Sequence, residues 1–122
     1  MIEKYFGKTD ERHLERHLHM LVGGLVVDIH QLTEALSQIG RESPSLGLSE
    51  MRFIEKQLEG LQKEATTFEI KLINLESKIG EEKSRELREA IKDAYEPLKR
   101  ELSGLSKQYG WQKLNSIKET LS

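Results

Sequence analysis

Apolar residues recur along this chain at alternating intervals of three and four. Leu18, Val22, Leu25, Ile29, Leu32, Leu36 and Ile39 form one such run, and Met51, Ile54, Leu58, Leu61, Ala65, Phe68, Leu72, Leu75 and Ile79 form another. That spacing places each run on one side of an α-helix. A third run, Leu87, Ile91, Ala94, Leu98, Leu102, Leu105 and Tyr109, keeps its phase across Pro97. The proline ring clashes with the carbonyl of Asp93 and removes a backbone donor, at a cost of about 3 kcal/mol. The preserved phase predicts one kinked helix there rather than two. After Gly110 the phase changes, and Trp111, Leu114, Ile117 and Leu121 predict a short terminal helix.

Polar and small residues set the expected boundaries. The first helix is expected to begin near Thr9 or Asp10, with Asp10 and Glu11 suited to the positive helix end. Gly40 is its expected C-cap, and the serine-, proline- and glycine-bearing segment 41–50 reads as a loop. Ser49 is the expected N-cap of the second helix and Gly80 its end. The helices therefore fall at about 10–39, 49–79, 83–109 with a kink at 97, and 111–121. Short connections force neighbouring helices antiparallel. The expectation is one all-α domain over residues 1–122. It is an antiparallel up-down-up three-helix bundle with coiled-coil character and a short C-terminal fourth helix.

Composition narrows the function classes. With 122 residues the chain can bury a core without disulfides, and it has no cysteine, which excludes thiolate chemistry and cysteine-ligated metals. The net charge of −2 creates no global attraction to nucleic acid or an anionic membrane. The longest apolar or glycine run, MLVGGLVV, is far shorter than the roughly 20 residues a membrane span needs. The segment MIEKYFGKTDERH lacks an apolar stretch of the secretory kind, so a cytoplasmic protein is expected.

The stretch HLERHLHMLVGGLVVDIH, residues 13–30, departs from the rest of the pattern. Heptad positions follow from Val22 and Ile29 at a and Leu18 and Leu25 at d. Leu21 at g and Val26 at e then widen the buried stripe, as for a helix packed against two others. His13, Met20 and Val27 fall at f, on the outer side, flanked by His17 and Gly24 at c. No lysine, arginine or glutamate occurs between Arg16 and Glu34. Two mid-helix glycines, Gly23 and Gly24, together cost about 1.5 to 2 kcal/mol relative to alanine. Close approach by a neighbouring helix would offset that, so His17, Met20, Gly23, Gly24 and Val27 are the expected interface. A local kink at the glycines and contact with a small ligand are the alternatives.

The histidines permit a second reading. His13 and His17 are one turn apart, the spacing at which HxxxH chelates zinc, copper or nickel, and Asp10 is the nearest additional ligand. His19 is about 200° round the helix from His17, and the metalloprotease HExxH motif is absent. A di-iron bundle needs glutamates in the core, whereas the second helix is wholly apolar at a and d. Haem ligation by His17, His30 or Met20 is the related alternative. Asp28, at a g position, is expected to be half-buried with a cationic or hydrogen-bonding partner, a salt bridge to a neighbouring helix rather than general acid–base work.

Catalytic and nucleic-acid signatures are lacking. There is no phosphate-binding glycine loop, nucleophile elbow or calcium loop, and Ser43, Ser45 and Ser49 belong to the linker. Arg85, Arg88, Lys92, Lys99, Arg100, Lys107, Lys113 and Lys118 alternate with acids and are neutralised locally. Tyr109 and Trp111 anchor the terminal helix in this reading rather than stack a base. The sequence therefore predicts a non-catalytic structural, adaptor or regulatory protein that forms a homo-oligomer or joins a larger complex. A metal- or haem-binding bundle with a sensory or redox role is the alternative.

Overall fold

The computed structural model describes the backbone of residues 2–110 and the side chains of residues 13–110. Three helices account for nearly all of it: α1 (Ile2–Glu42), α2 (Leu48–Ile79) and α3 (Glu81–Tyr109). Lys71 on α2 lies beside His17 on α1 at 3.5 Å, and Arg88 on α3 reaches back to Glu69 on α2 at 3.0 Å. Lys83, near the start of α3, meets Glu15 on α1 at 2.7 Å, while Tyr109 at its end reaches Ile39. Thus α2 runs antiparallel to both other helices, and α1 and α3 run parallel. The α1–α3 contact is the most extensive and α2–α3 the least.

The stripes read from the sequence form the core. Leu18, Ile29, Leu36, Ile54, Leu58, Leu72, Leu98 and Leu102 are each at most 1% exposed. Leu21 and Val26, which flank the α1 stripe, are partly buried against this core. Burial of such side chains contributes about 1.5–3 kcal/mol each, and this apolar contact holds the three helices together.

The boundaries differ from expectation in several places. α1 begins at Ile2, not at Thr9 or Asp10. A capping side chain contributes only about 1 kcal/mol. Residues 2–8 contain no proline and include Glu3, Lys4 and Lys8, good helix formers through which the backbone continues. At the other end α1 passes through Gly40 to Glu42, and α2 begins at Leu48, capped by Gly47 in place of Ser49. The Glu50 carboxylate accepts a hydrogen bond from the Gly47 N–H, one half of a capping box.

Gly40 does not cap α1. A Cβ there would lie 3.3 Å from Leu105 Cδ2 and 3.4 Å from Gln108 Oε1. The glycine instead allows α3 to approach the backbone of α1. Gln108 Nε2 donates to the Gly40 carbonyl at 2.9 Å, and the Tyr109 hydroxyl donates to the Ser43 carbonyl, with the Ile39 carbonyl also within 3.2 Å. These bonds fasten the last turn of α1 to the last turn of α3.

The second connection is a single residue. Gly80 has φ 93° and ψ 154°, donates its N–H to Glu76 and accepts from both the backbone and the hydroxyl of Ser84. This backbone conformation is essentially confined to glycine. α3 consequently starts at Glu81, two residues earlier than expected, and runs to Tyr109 with Pro97 inside it. Gly110 closes α3 in the left-handed conformation. The stripe at 111–121 lies outside the described residues.

Candidate functional site

α1 presents three sides. Two are taken by α2 and α3, and the third is the side of His13, Met20, Val27 and Glu34 with the residues that flank them at spacings of three and four. Every such position from His13 to Glu34 is exposed. At its centre Met20 is 71% exposed and Val27 52%, the two largest apolar exposures on this helix. Gly23 and Gly24 lie between them, and neither has any heavy atom of a described neighbour within 4 Å of where a Cβ would stand.

α1 is continuous through both glycines, and neither has a positive φ. No backbone requirement and no approach by α2 or α3 explains the pair. Close packing within the chain occurs at Gly40, and Gly23 and Gly24, the expected interface positions, are open among the described residues. His17, Met20, Gly23, Gly24 and Val27 thus form one exposed strip without a lysine, arginine, aspartate or glutamate among them, which Lys71 of α2 reaches at its His17 end.

The histidines lie along the same helix. His13 and His17 are both exposed, and His17 Nε2 is 3.5 Å from the Lys71 ammonium. Among the described residues no group of three histidine, cysteine, aspartate or glutamate side chains is placed to hold a metal ion. The Asp10 side chain lies outside them. His19 approaches Glu15 at 3.9 Å, and the hydrogen bond from Lys83 holds the Glu15 carboxyl below the usual carboxylate range.

Asp28 is half-buried as expected, but its partner corrects the expected salt bridge. It meets the Glu64 carboxyl of α2, which lies off the buried stripe of that helix. Partial burial raises the affinity of Glu64 for its proton, and the hydrogen bond and negative charge of Asp28 raise it further. The antiparallel register of α1 and α2 brings the two acids together, and that register cannot be read from either stripe alone.

Two further features lie away from α1. On α2, Ile70 and Ile73 are 55% and 57% exposed and one turn apart, a small second apolar patch. Their sequence signal is an i, i+3 pair of isoleucines off the buried stripe. Between α2 and α3 a groove of about 370 Å³ opens over Tyr95, beside Ala65, Thr66 and Arg88. Tyr95 is only 6% exposed although it lies off the α3 stripe. Burial, with a smaller contribution from the charge of Glu64, pushes its hydroxyl above the usual tyrosine range. Arg88 closes one end of the groove, forked between Glu69 and Glu76 at 3.0 and 3.3 Å. The small side chain of Ala65 within an otherwise bulky stripe is the signal for this opening.

No helix among the described residues is long and apolar enough to cross a membrane. No protein-family model matches the chain, and neither a curated protein nor a solved structure is similar to it.

Proposed function

We propose that this three-helix bundle is a non-catalytic assembly module, of structural, adaptor or regulatory kind, that packs the outer face of α1 against a further helical chain. The observation that carries the reading is the open glycine pair between two exposed apolar side chains. Gly23 and Gly24 destabilise an isolated helix, and nothing described in this chain uses the space they leave. A helix from another chain would use it, because absent side chains let two backbones approach closely and bury Met20 and Val27 in the same contact. The cysteine-free composition fits a cytoplasmic setting for such a module.

Light scattering after size exclusion tests the reading. The wild-type chain is expected to run as a dimer or larger species, and Val27→Glu is expected to convert it to monomer with its helical circular dichroism unchanged. Ile73→Glu, on the second apolar patch, should leave the assembly intact. Dissociation by Ile73→Glu and not by Val27→Glu would overturn assembly through this face, and a monomeric wild type at high concentration would overturn self-assembly through it.

A further inference from the structure

The exposed face of α1 is arranged symmetrically about its glycines. Met20 and Val27 stand at equal distances from the midpoint between Gly23 and Gly24, about 5 Å along the axis on either side. His13 and Glu34, which end the face, are likewise equidistant at about 16 Å. Arg16 and Gln31 form a matching pair between them. All of these positions are exposed, and residue type is what pairs them: apolar Met20 answers apolar Val27, His17 answers His30, and His13 with Arg16 at one end answers Glu34 at the other.

From this arrangement, and resting on the assembly reading above, we infer that the occupant of the face is a second copy of the chain. The two α1 helices cross antiparallel, with a two-fold axis through the Gly23–Gly24 pair. A two-fold contact must be self-complementary, the same patch meeting itself with residue i on j and j on i. Here the rotation places Met20 on the partner's Val27 and the glycines of one copy on those of the other. It also brings His13 and Arg16 to the partner's Glu34 at both ends of the contact.

Charge selects this arrangement over the parallel one. The first half of the face carries Arg16 and no acid, and the second half carries Glu34 and no lysine or arginine. A parallel, in-register pair would set Arg16 against Arg16 and Glu34 against Glu34, and like charges held opposite one another oppose association. The antiparallel pair replaces both repulsions with attractions. It also sets the two helix dipoles side by side and opposed.

Because the chain has no cysteine, single thiols can be placed at will. Met20→Cys and Val27→Cys proteins would be treated with a short bismaleimide, separately and after mixing. Each protein alone is expected to remain mostly monomeric on a denaturing gel. The mixture is expected to yield covalent heterodimer, and the Met20→Cys/Val27→Cys double variant to convert nearly completely to dimer. Strong self-linking of each single variant would show a parallel contact, overturning the two-fold arrangement while leaving the α1 face as the interface. Absence of any product from a chain that still scatters as a dimer would place the contact elsewhere and overturn the assembly reading as well. Absence of product from a monomeric chain would overturn the second copy as occupant. Circular dichroism of each variant confirms the fold, since both substitutions lie on exposed positions.

Discussion

Asp28 on α1 and Glu64 on α2 line one groove at the α1–α2 contact, an acid facing an acid. Desolvation first, and then the neighbouring Asp28, raise the affinity of Glu64 for its proton. A carboxyl whose folded-state pKa lies above its unfolded value of 4.5 stabilises the fold fully below that value. The contribution is lost as pH rises through the folded-state value. The α1–α2 contact should therefore loosen from mildly acidic toward neutral pH. Glu64→Gln, which supplies a permanent donor to Asp28, is expected to raise stability at pH 7 by about 0.5–1 kcal/mol. Urea midpoints measured at pH 4.5 and 7.5 should differ less for this variant than for wild type. An unchanged difference would remove Glu64 as the source.

Gly23→Ala and Gly24→Ala separate the needs of the folded chain from those of its assembly. Each Cβ would enter open space on a regular helix, so each substitution should stabilise the monomeric bundle by about 0.5–1 kcal/mol. The same methyl groups would hold two crossing helices apart and weaken the dimer. Opposite shifts in monomer stability and dimer affinity, read by denaturation at low protein concentration and by sedimentation, are the expected outcome. Parallel shifts would contradict it.

Gly80→Ala addresses the one-residue connection. With φ 93° and ψ 154° the backbone there is accessible to glycine and strained for any L side chain, whatever the free space around it. The expected loss is about 1–3 kcal/mol, visible as a lower thermal midpoint. Gly60→Ala in the middle of α2, where the helix is regular and the space open, is the control and should be neutral or stabilising.

Tyr109→Phe removes the hydroxyl that reaches the end of α1 while keeping the ring. The loss should be about 1 kcal/mol, the net value of one hydrogen bond plus a partly exposed carbonyl left to water. Hydrogen exchange should show the effect concentrated in residues 39–43 and 105–109. A loss spread evenly over all three helices would argue against this anchor.

The sequence made the helices and most of the core legible because burial on a helix has a period that aliphatic residues report directly. Leu18 through Leu36 and Ile54 through Leu72 follow it without exception where the bundle is closed. The connections and the polar contacts were less legible. Whether a glycine ends a helix, admits a neighbour or turns the chain depends on what stands opposite, and Gly40, Gly23 and Gly80 look alike in one dimension. Gly40 read as a cap and faces Leu105, whereas Gly23, read as part of an interface, faces nothing described. Asp28 met an acid, because the antiparallel register of α1 and α2 places Glu64 there. Tyr95 lies off its stripe yet is buried, since α2 and α3 make little contact and a large ring fills the space between them.

The dominance of the α1–α3 contact bears on how the chain is made. Tyr109 and Ile39, which face each other in the finished bundle, are 70 residues apart in sequence. At synthesis rates of about 5–20 residues per second, α1 emerges roughly 3–14 s before the helix that covers most of its buried side. During that interval α2 alone is present to shield Leu18, Leu25 and Leu32, so the nascent chain exposes apolar surface on two sides of one helix. Ribosome-bound chains ending before α3 should accordingly engage chaperones, and those that include it should release them.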